Sequence, residues 1–415
     1  MANRLDTTTS FLDTDMYKLT MGQFAFHRYN DTPVKYAFKN RTTDVLLADK
    51  IEERELRGEL DRIQYLAPTQ RELEYLATLK NGDEPMFKDD YLGFIDGIQL
   101  PGYDLRREDG QFKFEVLGPW GKGIYWETPA LATFNSLYYR ALMKDMAPGD
   151  TQDLEIEGRK RLEDKIATLK ENPDVRFMEF GTRRRFSQGW QDEVVKTLKN
   201  QAPENMVGTS NVYLAMKHGL TPMGTNAHEM DMVMSGIYHG SGQEIMESHN
   251  RFLEEWYSEY GEGLSIALTD TYGSDFFFKD MTREQAAKWK GLRQDSGDPA
   301  EFARRQIEFY EERGIDPKTK IFVPSDGLNV DKIVALENEF GSRINTVAGW
   351  GTNLTNDLGL GSLSLVMKAV ESNGHGTVKL SDNFAKSTGE PDDVERFKRI
   401  FDYDDSKYGA EVCVY

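Results

Sequence analysis

The chain has 415 residues, with 51 Lys and Arg against 70 Asp and Glu and a net charge of −19. So acidic a surface repels nucleic acid, and an anionic small molecule would need a local cluster of arginines and helix N-termini. Cys413 is the only cysteine, which excludes a disulfide scaffold, a zinc ribbon or a dithiol redox pair; with no charged-then-apolar leader and no apolar run near membrane-spanning length, a cytoplasmic protein without a membrane partner is expected.

In chain order, Asp13 or Thr14 is positioned to cap a helix carrying Tyr17, Met21 and Phe24 on one face. Val34, Tyr36 and Phe38 then alternate as in a strand, and Asp44 to Leu79 reads as two or three surface helices. Asp109-Gly110 supplies the turn of a hairpin between Pro101 and Val116. Thr128-Pro129 opens a long helix with Leu131, Phe134, Tyr138 and Leu142 in one stripe, which ends near Met146 to Asp150. A second helix with Leu162, Ile166 and Leu169 in register stops before Asn172-Pro173.

From there the pattern changes. Seven short apolar runs end in small, polar or charged residues, most of them followed by a helical stretch: at Gly181 to Arg185, Gly208 to Asn211, Gly224 to His228, Thr269-Asp270, Arg293 to Asp298, Ser325 to Gly327 and Gly349 to Asn353. Repeated strand, polar end and helix is the mark of a parallel sheet with crossovers, and in a closed barrel those ends gather at one face. The expected fold class is therefore α/β, an irregular barrel of about seven strands; a doubly wound open sheet is the rival. After residue 361 strand-like segments return, including Thr377 to Leu380, and the stretch from Ser387 to Pro391 reads as loose. The tail is expected to pack back on the first domain.

The strand ends carry the chemistry. Arg183, Arg184 and Arg185 after a Gly-Thr turn suit either a solvated face or a polyphosphate, whose oxygens guanidinium forks match. Gly349 to Asn353 offers closely spaced backbone N–H groups able to hold a phosphomonoester. Asp298-Pro299 caps the helix that follows it, which leaves Arg293 and Asp295 for other work. With Asp270, Asp275 and Asp326 they form a set able to hold Mg²⁺ through waters and to bind ribose hydroxyls. No direct transition-metal site is expected, because His218 and His228 lack the spacing of zinc ligands. There is no Walker loop, dinucleotide fingerprint or Gly-x-Ser-x-Gly elbow.

Six stretches resemble one family: FLDTDMYKLTM at 11–21, MEFGTRRRFS at 178–187, VGTSNVYLA at 207–215, LTPMGTNAHE at 220–229, GLRQDSGDP at 291–299 and GTNLTND at 351–357. Together, and in this order, they look like bacterial nicotinate phosphoribosyltransferases. The resemblance implies an α+β sandwich domain (1–130, joined by 361–415) on a barrel domain (131–360), in a homodimer with sites at the subunit interface. It implies transfer of a phosphoribosyl group from phosphoribosyl pyrophosphate to nicotinate, coupled to ATP hydrolysis through a phosphohistidine, with Mg²⁺ as cofactor.

Carried over residue by residue, His228 resembles the phosphorylated histidine, with Glu229 either orienting it or lying at the surface. The resemblance gives Gly327, Gly349, Gly351 and Thr352 the 5′-phosphate, and Arg183 and Arg184 the pyrophosphate. Asp295 and Asp326 would hold the ribose. Phe180 would stack on the pyridine ring together with Tyr17, the latter lent by the second subunit. Arg293 and Ser210 would meet the nicotinate carboxylate, since related nicotinamide enzymes have an aspartate where Ser210 stands. Residues 271–274 match only loosely, so no role is carried to Asp275. The alternatives are a nicotinamide or quinolinate phosphoribosyltransferase, or a sugar-phosphate-binding protein without turnover.

Overall fold

The computed structural model describes residues 7–409, with Pro148 described in its backbone alone; Cys413 lies outside that range. The architecture is mixed α/β: the described residues form a five-stranded antiparallel sheet, a two-stranded antiparallel hairpin and two parallel sheets.

The larger antiparallel sheet has five strands in the order β14 (His375–Gly376), β13 (Leu365–Ser372), β1 (Pro33–Asn40), β5 (Gln111–Pro119) and β4 (Tyr103–Glu108). β1 (Pro33–Asn40) buries Val34, Tyr36 and Phe38 and leaves alternate residues more exposed, as its period-two pattern requires. β4 (Tyr103–Glu108) and β5 (Gln111–Pro119) form the expected hairpin. Asp109 and Gly110 both take positive φ, 51° and 73°, the backbone of a turn whose twist matches the strands. A small hairpin joins β2 (Lys80–Asn81) to β3 (Glu84–Pro85). The stretch from 44 to 79 holds three helices, Leu47–Lys50, Glu53–Gln64 and Gln70–Thr78.

The first helix, Met16–Tyr29, is buried from Met16 to Ala25. Its N-cap is Asp15, with no side-chain cap bond, in place of the expected Asp13 or Thr14. The reason is competition: the Asp15 carboxylate accepts the Ser210 hydroxyl at 2.7 Å, and Asp13 is paired with Arg185. The long helix begins at Glu127 and runs to Lys144; it continues directly from the helical turns 120–126, so Thr128-Pro129 lies inside it and not at its cap.

One parallel sheet has the order β12-β6-β7, from Ala348–Trp350, Phe177–Glu179 and Met206–Thr209. The other has the order β11-β10-β9-β8, from Asn345–Thr346, Ile321–Pro324, Gly291–Gln294 and Ile266–Leu268. The run 345–350 joins them, pairing with β10 through its first half and with β6 through its second. The seventh run, at Met223, forms no strand: Thr209 and Pro222 make a single parallel bridge. Pro222 has no N–H to continue a ladder, and Gly224 takes φ of 146° at once after it. Because the paired strands are parallel, their polar C-terminal ends emerge on one side.

The tail divides. β13 (Leu365–Ser372) pairs antiparallel with β1, and β14 (His375–Gly376) pairs with β13. Beyond Gly376 the chain leaves that sheet. Thr377 to Leu380 makes only an isolated bridge, Lys379 with Thr388, and no strand. Val378, Leu380, Phe397 and Phe401 instead form a separate apolar cluster with Ile245 and Tyr272. Tyr272 and Phe401 stack at 3.9 Å. Of the tail, β13 and β14 thus join the sheet of the first domain; aromatic burial on the later helices takes the rest, and it carries Lys379 and Lys386 to the strand ends.

Candidate active site

The strand ends surround a cavity of 660 Å³. Tyr17, Phe180, Arg183, Arg184, His228, Arg293, Asp295, Asp326, Gly327, Gly349, Gly351 and Thr352 all line it.

His228 sits at the N-cap of the helix Glu229–Ile237 and is 3% exposed. Its Nδ1 lies 3.0 Å from Thr271 Oγ1, and its Nε2 lies 3.0 Å from Asp295 Oδ2 and 2.8 Å from Lys379 Nζ. Burial, with help from the Lys379 ammonium, pushes the imidazole down to about 4, against the pull of Asp270 and Asp295. At neutral pH the ring is uncharged and one nitrogen keeps a lone pair.

Lys379 also approaches Asp270 Oδ2 at 3.4 Å and Asp295 Oδ2 at 3.7 Å. Burial alone would raise both carboxyls, but Lys379 and His228 outweigh it, and Arg293 adds to the effect on Asp295; both are held below the usual carboxylate range, Asp295 far below. His228, Asp270 and Asp295 bring three possible ligand atoms within 4.8 Å of one another. The Lys379 ammonium already bridges all three, so a metal ligated directly by this trio would have to displace it. Asp270 Oδ1 and Arg293 Nε are both buried with no hydrogen-bond partner; Arg293 lines the cavity, whereas Asp270, expected at the site, is 1% exposed and absent from its wall. Asp326 accepts from Lys386 Nζ at 2.5 Å; burial holds its carboxyl above the usual range despite that lysine.

The description "Nicotinate phosphoribosyltransferase (NAPRTase) family" matches residues 175–405, and that of the same family's N-terminal domain matches residues 12–135. The chain belongs to the nicotinate phosphoribosyltransferase family. Among solved structures it resembles the nicotinate phosphoribosyltransferase of Porphyromonas gingivalis, with 31% identity, a TM-score of 0.83, and 95% of this chain covered against 100% of that one. It also resembles the enzyme from Vibrio cholerae, with 29% identity, a TM-score of 0.86, and 96% and 95% covered. No described helix is long and apolar enough to cross a membrane.

In this family member the three consecutive arginines part company. Arg183 faces the cavity, with Nη1 3.2 Å from Glu127 Oε1 and its guanidinium 6.0 Å from the Tyr17 ring centre. Arg185 is fully buried and grips Asp13 through two bonds of 2.6 and 2.7 Å. Burial would raise the Asp13 carboxyl, but this pair outweighs it and holds the group below its ordinary value. Arg185 therefore ties the N-terminal segment to the parallel strands.

Tyr17 and Phe180 of one chain both line the cavity. Three expectations change. Ser210 is absent from the wall; it is fully buried and donates to Asp15, which leaves Arg293 alone of that pair for a carboxylate. Glu229 is neither a surface residue nor a partner of His228. It accepts from Lys18 Nζ at 2.6 Å, Tyr36 Oη at 2.5 Å and Trp120 Nε1 at 2.9 Å, welding the start of its helix to the antiparallel sheet. Asp275 pairs with Arg305 and Lys407 at 2.6 and 2.9 Å, outside the cavity wall.

Arg41, Lys368, Lys379 and Lys386 also line the cavity, and no sequence motif pointed to them. All four come from the antiparallel sheet or the tail and not from a strand-end unit, so the repeated pattern could not point to them. Lys368 stands half-buried on β13, and desolvation pushes its ammonium down to about 7 although Glu127 opposes this. The one sequence signal was weak: Lys379 sits among apolar neighbours, Val378 and Leu380, where a lysine has no surface reason to be.

Proposed function

We propose that this cavity joins nicotinate to phosphoribosyl pyrophosphate, releasing nicotinate mononucleotide and pyrophosphate in NAD salvage, with ATP hydrolysed through a phosphorylated His228. The observation that carries the reading is the meeting, in one 660 Å³ space, of a neutral histidine, cations from Arg183 to Lys386, two aspartates and a glycine turn. Arg293, with its unpartnered Nε, would take the nicotinate carboxylate, and Tyr17 and Phe180 would flank the pyridine ring. Gly327, Gly349, Gly351 and Thr352 would cradle the 5′-phosphate, and Arg183 and Arg184 the pyrophosphate.

Asp295 and Asp326 would hold the ribose hydroxyls while the pyridine nitrogen attacks the anomeric carbon and pyrophosphate leaves with the bonding pair. Mg²⁺, when bound, neutralises pyrophosphate charge; the cavity-lining Asp295, with Asp270 and its unpartnered Oδ1 beside it, fits it through waters. ATP, when bound, supplies a phosphoryl group, and His228 Nε2 is the nucleophile facing the cavity. We read the two parallel sheets as one irregular barrel over 131–360, and the first domain with the strands of 365–376 as the α+β layer beside it. The family likeness supports a cytoplasmic homodimer, whose stoichiometry sedimentation equilibrium tests.

The deciding experiment supplies nicotinate, nicotinamide or quinolinate with phosphoribosyl pyrophosphate and measures pyrophosphate release with and without ATP. Release with nicotinate, stimulated by ATP, is expected; turnover of nicotinamide alone would overturn the specificity, and no release with any base would favour a binding protein. Labelling with γ-labelled ATP should give acid-labile, base-stable label, absent from His228→Ala.

A further inference from the structure

The Nε2 side of His228 does not determine where its single ring proton resides. Asp295 Oδ2, at 3.0 Å, accepts only and so favours a proton on Nε2; Lys379 Nζ, at 2.8 Å, donates only and so favours a lone pair there. The two demands oppose each other on the same atom, and the choice falls to Nδ1.

Nδ1 faces one group, the Thr271 hydroxyl at 3.0 Å. That hydroxyl has a single proton, and Asp231 Oδ2 lies 2.7 Å from it. A carboxylate can only accept, so the Thr271 proton goes to Asp231 and the Thr271 oxygen must accept from Nδ1. The ring is then protonated at Nδ1, and Nε2 holds the lone pair. All three residues are 2 or 3% exposed, so water does not compete for these bonds.

Asp231 has no evident structural reason to be a carboxylate. It lies in the first turn of the helix Glu229–Ile237, where an exposed acid gains from the helix dipole. Here it is buried instead, with Oδ1 lacking any partner, and the cost of that orphaned atom exceeds a first-turn gain. Burial pushes its carboxyl up to about 6, against the opposing charge of His249, with Asp270 and Asp280 adding to the rise. It is therefore mostly ionised at neutral pH. His249 itself is occupied by Asp280 at 2.7 Å.

We propose that Asp231 is a positioning residue which, through the Thr271 hydroxyl, locks His228 in the Nδ1-protonated tautomer and so places the lone pair on Nε2, the atom that acts as the nucleophile. Asp231 touches neither the cavity nor His228. Its position, three residues along the same helix, places it behind the ring. When Nε2 forms a bond to phosphorus and the leaving oxygen takes the old bonding pair, positive charge develops on the ring, and the Nδ1 proton stays bonded to the Thr271 oxygen. The inference deepens the phosphohistidine reading for its purpose, while the tautomer itself is independent of that reading.

The test is the histidine ¹⁵N NMR pattern of the ligand-free protein at pH 7.5, which distinguishes a protonated from an unprotonated Nε2. Wild type should show His228 protonated at Nδ1. In Asp231→Leu the Thr271 proton is released to donate to Nδ1, and Asp295 then draws the ring proton to Nε2; the pattern should invert. Asp231→Asn keeps a carbonyl acceptor for Thr271 and should keep the wild-type pattern, and Thr271→Val, which removes the bridge without touching Asp231, should lose it. Wild type protonated at Nε2, or an unchanged pattern in both Asp231→Leu and Thr271→Val, overturns the proposal. The rate of labelling by γ-labelled ATP should fall at least tenfold in Asp231→Leu and remain within about threefold in Asp231→Asn. Absence of label from wild type would defeat the phosphohistidine reading, and the NMR pattern would still decide the tautomer.

Discussion

Lys379→Met isolates the charge that keeps His228 neutral. In the folded protein burial is the first cause of the depressed value of about 4, and Lys379 is the second, with Asp270 and Asp295 opposing both. An ammonium 2.8 Å from Nε2 acts on an imidazolium with about 6 kcal/mol at an effective dielectric near 20. If solvent and side-chain relaxation leave a third of that, about 2 kcal/mol, its removal raises the histidine by about 1.5 pKa units. Titration of His228 by NMR should therefore move up by at least one unit in the variant, with the two carboxylates now unopposed. A value still at about 4 would refute the assignment of Lys379 as a cause and leave burial alone. The same shift has a stability consequence. Between about 4 and the unfolded value of about 6.5 the unfolded chain binds a proton that folded His228 refuses, so stability falls as pH drops through that window. About 2.5 units corresponds to about 3 kcal/mol lost by pH 4. Urea unfolding at pH 7 and pH 5 should show a smaller acid loss from this residue in Lys379→Met.

Three further outcomes follow from the contacts. Glu229→Ala leaves Tyr36 and Trp120 without their acceptor and Lys18 with Glu127 alone, at 2.7 Å, so urea unfolding should show a loss of about 2–4 kcal/mol; a loss below 1 kcal/mol would mean the two stranded donors find other partners. Arg183→Ala and Arg185→Ala should separate: the first should raise KM for phosphoribosyl pyrophosphate with little change in unfolding, and the second, which unpairs buried Asp13, should cost about 3–5 kcal/mol of stability. Equal unfolding midpoints for the two would contradict this division. Arg293→Ala should weaken nicotinate binding by about 10- to 150-fold, from about 1.5–3 kcal/mol for a hydrogen bond to a charged group, as read from KM; an unchanged KM would remove Arg293 from the carboxylate.

What the sequence made legible was whatever depends on local pattern. Alternation in Val34, Tyr36 and Phe38, the Asp109-Gly110 turn and the Asp298 cap, which accepts from Glu301 N at 2.7 Å, are decided by residues within a few positions of each other. The strand-end repeat was legible for the same reason, and it brought His228, Arg293, Asp295 and Asp326 into view as one set. Side-chain partners over long separations were not. Asp13 and Asp15 look like ordinary cap residues in isolation, and nothing nearby announces that Arg185 and Ser210 will claim them across more than a hundred residues.

The same limit explains why the site's chemistry was only half visible. A histidine and an aspartate at strand ends show which atoms are available, but the state of His228 depends on groups that the repeat does not contain. Lys379 arrives from a tail anchored by Val378, Leu380 and Phe401 on Tyr272, and Thr271 is held one residue before that same tyrosine. The apolar cluster under the tail thus positions both the cation that opposes protonation of His228 and the hydroxyl that accepts its Nδ1 proton. Packing far from any substrate determines whether the nucleophile has a lone pair. A substitution such as Phe401→Ala, which opens a cavity worth about 3–5 kcal/mol in that cluster, should reduce phosphoryl transfer to His228 as well as stability. Loss of stability with labelling at the wild-type rate would show that the tail holds Lys379 by its other contacts alone.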